Sequence, residues 1–121
     1  KKYGLGTTTW SPLASGVLTG KYNDGIPSDS RLGSEQWAWL KDMVLDDDKL
    51  NKVRALADVA KDLNCSMAQM TLAWTAKHPH VSTVITGASR LSQLKENLQS
   101  VAVIEQMDEG IMERIENILK A

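Results

Sequence analysis

Cysteine is nearly absent from this sequence: Cys65 stands alone among 121 residues. An internal disulfide is therefore excluded, and a reducing compartment, the cytosol, fits that usage best. Cys65 falls between two predicted helices and reads as a small apolar packing residue rather than a nucleophile. Long hydrophobic runs are lacking as well; none approaches the ~20 residues needed to span a bilayer. The opening Lys1-Lys2-Tyr3-Gly4 has no apolar core of the kind a signal peptide carries. It also has no initiator methionine, so the expectation is that the chain begins inside a longer parent. Charge of one sign is missing: the formal net charge is −1, with acids and bases interspersed. No polybasic face stands out, which argues against nucleic acid as a partner.

Metal-ligand patterns are equally scarce. In His78-Pro79-His80 the two imidazoles flank a helix-stopping proline, and no Cys/His cluster supports them. The run Asp46-Asp47-Asp48 has no calcium-loop spacing. Carboxylates in the first turn of a helix are favoured by the helix dipole, which is the simpler reading. No metal site is expected. There are no internal repeats and no low-complexity segment.

What is present is an ordinary globular composition, 42% hydrophobic, in a chain able to bury a modest core. Residues 5–10 read as a buried strand. Residues 25–31 hold Gly, Pro, Ser and Asp and read as a loop. Residues 34–44, with Trp37, Trp39, Leu40, Met43 and Val44, read as a short helix. Over residues 49–63, Leu50, Val53, Leu56, Ala57, Ala60 and Leu63 recur at three- and four-residue steps, which predicts a helix. Ser66 with Gln69 forms the capping-box pattern of another helix. Met70, Ala73, Trp74 and Lys77 follow, and His78-Pro79 stops it. Residues 81–86 are a short β-branched run and predict a second strand. Residues 91–101 predict a helix with Leu91, Leu94, Leu98 and Val101 on one face. A last helix is expected from Asp108, a good N-cap, to Lys120, with Ile111, Met112, Ile115, Ile118 and Leu119 inward.

Two strand ends carry the chemistry. The first strand stops at Trp10-Ser11-Pro12, and Leu13-Ala14-Ser15-Gly16 follows, with Lys21 and Tyr22 farther on. A strand that ends in a loop of small residues offers backbone N–H groups to an anion, and Lys21 adds a positive charge. The second strand ends in Thr86-Gly87-Ala88-Ser89 and runs into a helix. Two such junctions suggest one phosphate-bearing cofactor held from two sides. Each residue also has a plainer reading. Trp10 could pack the strand into the core, Arg31 could be solvated surface, and Ser89 could be a simple helix cap. Gln93, Glu96 and Asn97 could form an exposed polar helix face.

The block from Thr9 to Tyr22, then Ile26-Pro27-Ser28-Asp29-Ser30-Arg31, then Gly87-Ala88-Ser89 with Gln93, Glu96 and Asn97, resembles the aldo-keto reductases. More closely it resembles the voltage-gated potassium channel β-subunits, especially those of plants. The resemblance covers residues 3–119, and the two blocks in this order are more specific than either alone. It implies an α/β fold, the C-terminal portion of a (β/α)₈ TIM barrel, a fold of about 250 residues. The order strand, irregular insert, helices, strand, helix, helix suits the last two strands with their helices and an added C-terminal helix. The whole chain, residues 1–121, would be one partial barrel.

The resemblance also implies a ligand and roles. The cofactor would be NADPH, with Trp10 as an aromatic shelf against the nicotinamide. Ser11, Pro12, Leu13, Ala14, Ser15, Gly16 and Lys21 would line the pyrophosphate and ribose. Some animal members carry Cys where this chain has Ser15, so that side chain is not essential. Ser30, Arg31, Gly87, Ser89, Gln93, Glu96 and Asn97 would hold the adenosine end, with Arg31 and Ser89 on its 2′-phosphate. The family's Asp, Tyr, Lys and His tetrad lies on strands that this chain does not contain. No catalytic residue is therefore expected here, and Tyr3 and Tyr22 do not replace the tetrad acid.

The implied function is the NADPH-binding part of a cytoplasmic reductase that passes hydride to an aldehyde or ketone. A second reading is a non-catalytic regulatory subunit, tetrameric, on the cytoplasmic domain of a potassium channel at the plasma membrane. A third is a small helical interaction module.

Overall fold

The computed structural model describes residues 3–121. The side chains of Asp42 and Met43 also lie outside the described residues. Strand β1, Thr7–Thr9, is followed by three 3₁₀ turns, Ala14–Thr19, Arg31–Gly33 and Glu35–Trp37. Helices α1, Ala38–Val44, α2, Asp47–Asp62, and α3, Met67–Lys77, come next. Strand β2, Val81–Val84, precedes α4, Leu91–Ile104, and α5, Glu109–Lys120.

The helix ends follow local chemistry. Asp46 caps α2 by accepting from the Lys49 amide at 2.8 Å. Its bonds from the Lys49 side chain and amide hold its carboxyl below the usual carboxylate range. Asp47 and Asp48 fill the first turn, where the dipole favours them. Ser66 and Gln69 form the reciprocal capping box of α3, with His78 before Pro79 at its end. Asp108 accepts from the Ile111 amide and starts α5. The helix expected over 34–44 is shorter: the two 3₁₀ turns take Arg31 to Trp37, and α-helix begins only at Ala38.

The two strands pair in parallel, Thr7 with Val81, Thr8 with Thr83 and Thr9 with Val84, with an irregularity after Thr7. A parallel pair needs a long crossover, and the segment between them, with α1, α2 and α3, supplies it. The strand expected over 5–10 is corrected in length and in burial. Only Thr7–Thr9 has a partner, and Leu5 and Trp10 are 76% and 80% exposed. A strand extends only as far as its neighbour's ladder, and β2 ends at Val84 rather than at Thr86.

The core sits away from the sheet. Val53, Leu56 and Val59 of α2 meet Met70 of α3, Ile115 of α5 and Met107 before it. Val17 and Tyr22 from the loop after β1 join the same cluster. The inward face expected for α5 is the observed one: Ile115 is buried, and Ile111, Met112, Ile118 and Leu119 pack against the core. Helix α4 packs on α3 with Asn97, Ser100 and Val103 buried. Its Leu91, Leu94, Leu98 and Val101 do share a face, but that face is exposed. Leu94, Leu98 and Val101 instead line a cleft of about 320 Å³ beside β2, with Leu72 of α3 on the other side.

Candidate functional site

The C-terminal ends of the strands lie side by side. The Ile85 amide donates to the Thr9 carbonyl at 2.8 Å, so Trp10 and Thr86-Gly87 leave the sheet at one edge. Trp10, 80% exposed, does not pack into the core.

The loop after Trp10 is built tightly. Ser11, Ala14 and Ser15 have φ of 51°, 48° and 58°, and Gly16 follows at 96°. Left-handed backbone at three non-glycine residues costs about 1–3 kcal/mol each unless its surroundings hold it. The Ala14 amide donates to Ser11 at 2.9 Å, and the Gly16 and Leu18 amides both donate to Leu13. Thr19 Oγ1 donates to the Gly16 carbonyl at 2.7 Å, and the buried Tyr22 hydroxyl to the Ser15 carbonyl at 3.4 Å. Three amides are thus used within the loop, leaving fewer backbone donors for an anion than its small residues suggest. Lys21 Nζ folds back over it: a methyl group on Gly16 would meet that nitrogen at 2.8 Å. Nζ also lies 5.1 Å from the centre of the Tyr22 ring, so a cation–π contact holds it in place. Pro12 and Leu13 are half-buried, whereas Ser11 and Ala14 are exposed.

The second loop is shaped by Ser30. Its hydroxyl donates to the Pro27 carbonyl at 2.6 Å and accepts from the Gly33 amide at 3.2 Å. Gly33 is required by the close approach: a Cβ there would collide with the Pro27 carbonyl. Arg31, exposed, carries its guanidinium 5.4 Å from the centre of the Trp37 ring.

At the start of α4, Ser89 is not the cap that its position suggested. Arg90 is the N-cap, and the side-chain oxygen of Gln93 accepts from the amides of Ser89 at 3.0 Å and Arg90 at 3.2 Å. The Ser89 hydroxyl donates to the same oxygen at 3.2 Å. A Gln three residues into a helix reaches back to its orphan amides, which displaces Ser89 from that task. Gln93, Glu96 and Asn97 do not form one exposed polar face. Gln93 and Glu96 are half-buried, the Glu96 carbonyl accepts from Gln69 Nε2 at 3.3 Å, and Asn97 is buried beside the cleft.

One contact joins the two halves. Arg90 Nη2 lies 3.1 Å from Asp29 Oδ2, across 61 residues of sequence. It brings the loop of Ser30 and Arg31 to the corner of Ser89 and Gln93. In the sequence Asp29 is only part of a family-like block and Arg90 only a spare charge that could sit near a phosphate; two opposite charges so far apart give no local signal of their pairing. Trp37 was likewise read only as a helix residue.

A sequence model described as the aldo/keto reductase family matches residues 1–120. The chain belongs to that family. It is 49% identical over 120 residues to a protein of Arabidopsis thaliana named "Probable voltage-gated potassium channel subunit beta". It is 48% identical to one of the same name from Oryza sativa subsp. japonica. In both, the match takes in 98% of this chain and 37% of the relative. The chain therefore spans little more than a third of the length of these curated relatives.

The two histidines of this aldo/keto reductase chain make local contacts. His78 stands edge-on to Trp74, ring centres 5.0 Å apart, with Nε2 3.8 Å from Glu116. The His80 carbonyl accepts from the amide and hydroxyl of Thr7. Among the described residues no group of three His, Cys, Asp or Glu could hold a metal ion. Cys65 is half-buried against the core, and burial pushes its thiol pKa up, as an apolar packing residue would show.

Proposed function

We propose that this chain is the cofactor-gripping C-terminal portion of an NADPH-dependent aldo-keto reductase of the potassium channel β-subunit type. In that reading its parallel strands are the last two of a (β/α)₈ barrel. The observation that carries it is the Asp29–Arg90 contact of 3.1 Å, which draws two separate loops into one polar corner. The loop so drawn in carries an exposed Arg31, and the corner it meets carries the Gln93 amide group and the Ser89 hydroxyl, which now donates to Gln93. Such a donor set suits a dianionic 2′-phosphate, with Arg31 offering a planar fork. Lys21, folded over the Ser15-Gly16 backbone, suits a pyrophosphate, and the bare Trp10 face suits a flat nicotinamide ring.

A bound nicotinamide cofactor supplies hydride for reduction of an aldehyde or ketone carbonyl. The residues here bind and orient it; the acid that protonates the resulting oxyanion must come from outside residues 1–121. Titrating the intact protein with NADPH and NADH tests this. Arg31→Ala should remove a charge-assisted bond, weakening NADPH by about 1.5–3 kcal/mol while leaving NADH almost unchanged. Equal affinity of the wild type for the two cofactors would reject the reading.

The names of the two plant relatives favour a compatible second role. The intact protein would then bind, as a tetramer, the cytoplasmic domain of a voltage-gated potassium channel at the plasma membrane. A pull-down of such a domain with the intact protein tests this, and absence of binding at micromolar concentrations would reject it.

A further inference from the structure

We propose that Trp37 is a positioning residue for Arg31, holding its guanidinium ready for the 2′-phosphate and so helping to set the preference for NADPH over NADH. The inference rests on the cofactor reading above. Arg31 lies in an exposed loop, where a long side chain would sample many rotamers. Its guanidinium instead sits 5.4 Å from the centre of the half-buried Trp37 ring, within the range of a cation–π contact.

Among the described residues no carboxylate lies within ion-pair distance of Arg31, although the neighbouring Asp29 is engaged by Arg90. That division of partners matters. A carboxylate on Arg31 would occupy the donors a phosphate needs and would have to be displaced. An aromatic face restrains the same group without neutralising its charge.

The ring is itself restrained. Trp37 closes the one-turn Glu35–Trp37 segment, its amide donating to the Ser34 carbonyl at 3.0 Å. Trp39 lies against it, ring centres 6.3 Å apart at 38°. Ser30 and the Asp29–Arg90 pair hold the other end of the loop. Arg31 is thus confined between a fixed ring and a fixed turn.

The test compares NADPH and NADH binding to the intact protein for wild type, Trp37→Ala, Trp37→Phe and Arg31→Ala. Trp37→Ala should weaken NADPH by about 2- to 5-fold, as loss of an exposed cation–π contact would, and leave NADH unchanged. Trp37→Phe, which keeps a π face, should restore most of the difference. Arg31→Ala should remove the preference, and adding Trp37→Ala to it should then change nothing more. Equal losses for both cofactors in Trp37→Ala would mean a merely structural ring and overturn the inference. So would tighter NADPH binding, which would show Trp37 withholding the guanidinium. An Arg31→Ala variant that keeps the full preference would overturn the cofactor reading as well.

Discussion

At the residue scale, the loop from Ser11 to Gly16 shows where local rules give way to fixed surroundings. Three residues with side chains adopt positive φ, a conformation usually left to glycine. Buried Val17 and Tyr22 anchor the loop to the core, and the strain persists because that packing holds it. Trp10 stands at the loop's entrance with its ring exposed. It takes no part in this chain's core, so Trp10→Leu in the intact protein should leave the protein folded. The same substitution should weaken cofactor binding and lower turnover, read by fluorescence titration and steady-state kinetics. Unchanged affinity and turnover would count against a shelf role. The residue types at this end of the strand were legible in sequence. Their backbone angles were not, since small residues permit such angles without requiring them.

At the element scale, caps were the most readable feature, because capping is settled within four residues. The Ser66–Gln69 box is the clearest case, and it does more than start α3. Gln69 Nε2 also donates to the Glu96 carbonyl and to Gln99 Oε1 at 2.8 Å, tying α3 to α4. Ser66→Ala should therefore cost about 1 kcal/mol, the usual value of an N-cap. Gln69→Ala should cost more, since it loses the cross-helix bonds as well. Denaturant midpoints of the intact protein measure both, and a larger loss for Ser66→Ala would contradict the argument. Strand limits were harder to read, because a strand's length is decided by its partner. Leu5, Trp10 and Thr86 have strand-like character but lie beyond the paired residues, and Ile85 keeps only its amide bond to Thr9. The plainer reading of Ser89 as a cap fails for a related reason: two side chains could reach the α4 amides, and Gln93 does.

At the scale of the whole molecule, apolar surface is left uncovered. Among the described residues the two-stranded parallel sheet is open on both edges, and Leu91, Leu94, Leu98 and Val101 of α4 stay exposed, the last three along an open cleft beside β2. The isolated 121-residue chain is expected to self-associate and to melt without a sharp cooperative transition. Size-exclusion chromatography over a range of concentrations, followed by denaturant melting, checks this. Leu98→Lys with Val101→Lys should reduce the association, because both side chains are exposed and their loss leaves the core intact. A monodisperse monomer that melts cooperatively and binds NADPH tightly would show the chain to be self-sufficient.

The sequence by itself determined helices α2 to α5, the caps of α3 and α5 and the inward faces of α2 and α5, because these depend on residues three or four apart. It also carried the spaced blocks through which the family is recognisable. Only the tertiary structure decided how long the strands are, that the apolar face of α4 stays exposed, and that Asn97 turns inward. It alone joined Asp29 to Arg90 and Arg31 to Trp37. The physical reason is range. Hydrogen bonds within a helix turn are fixed by neighbours along the chain. An ion pair across 61 residues, a ladder or a buried face exists only once distant segments have been packed together.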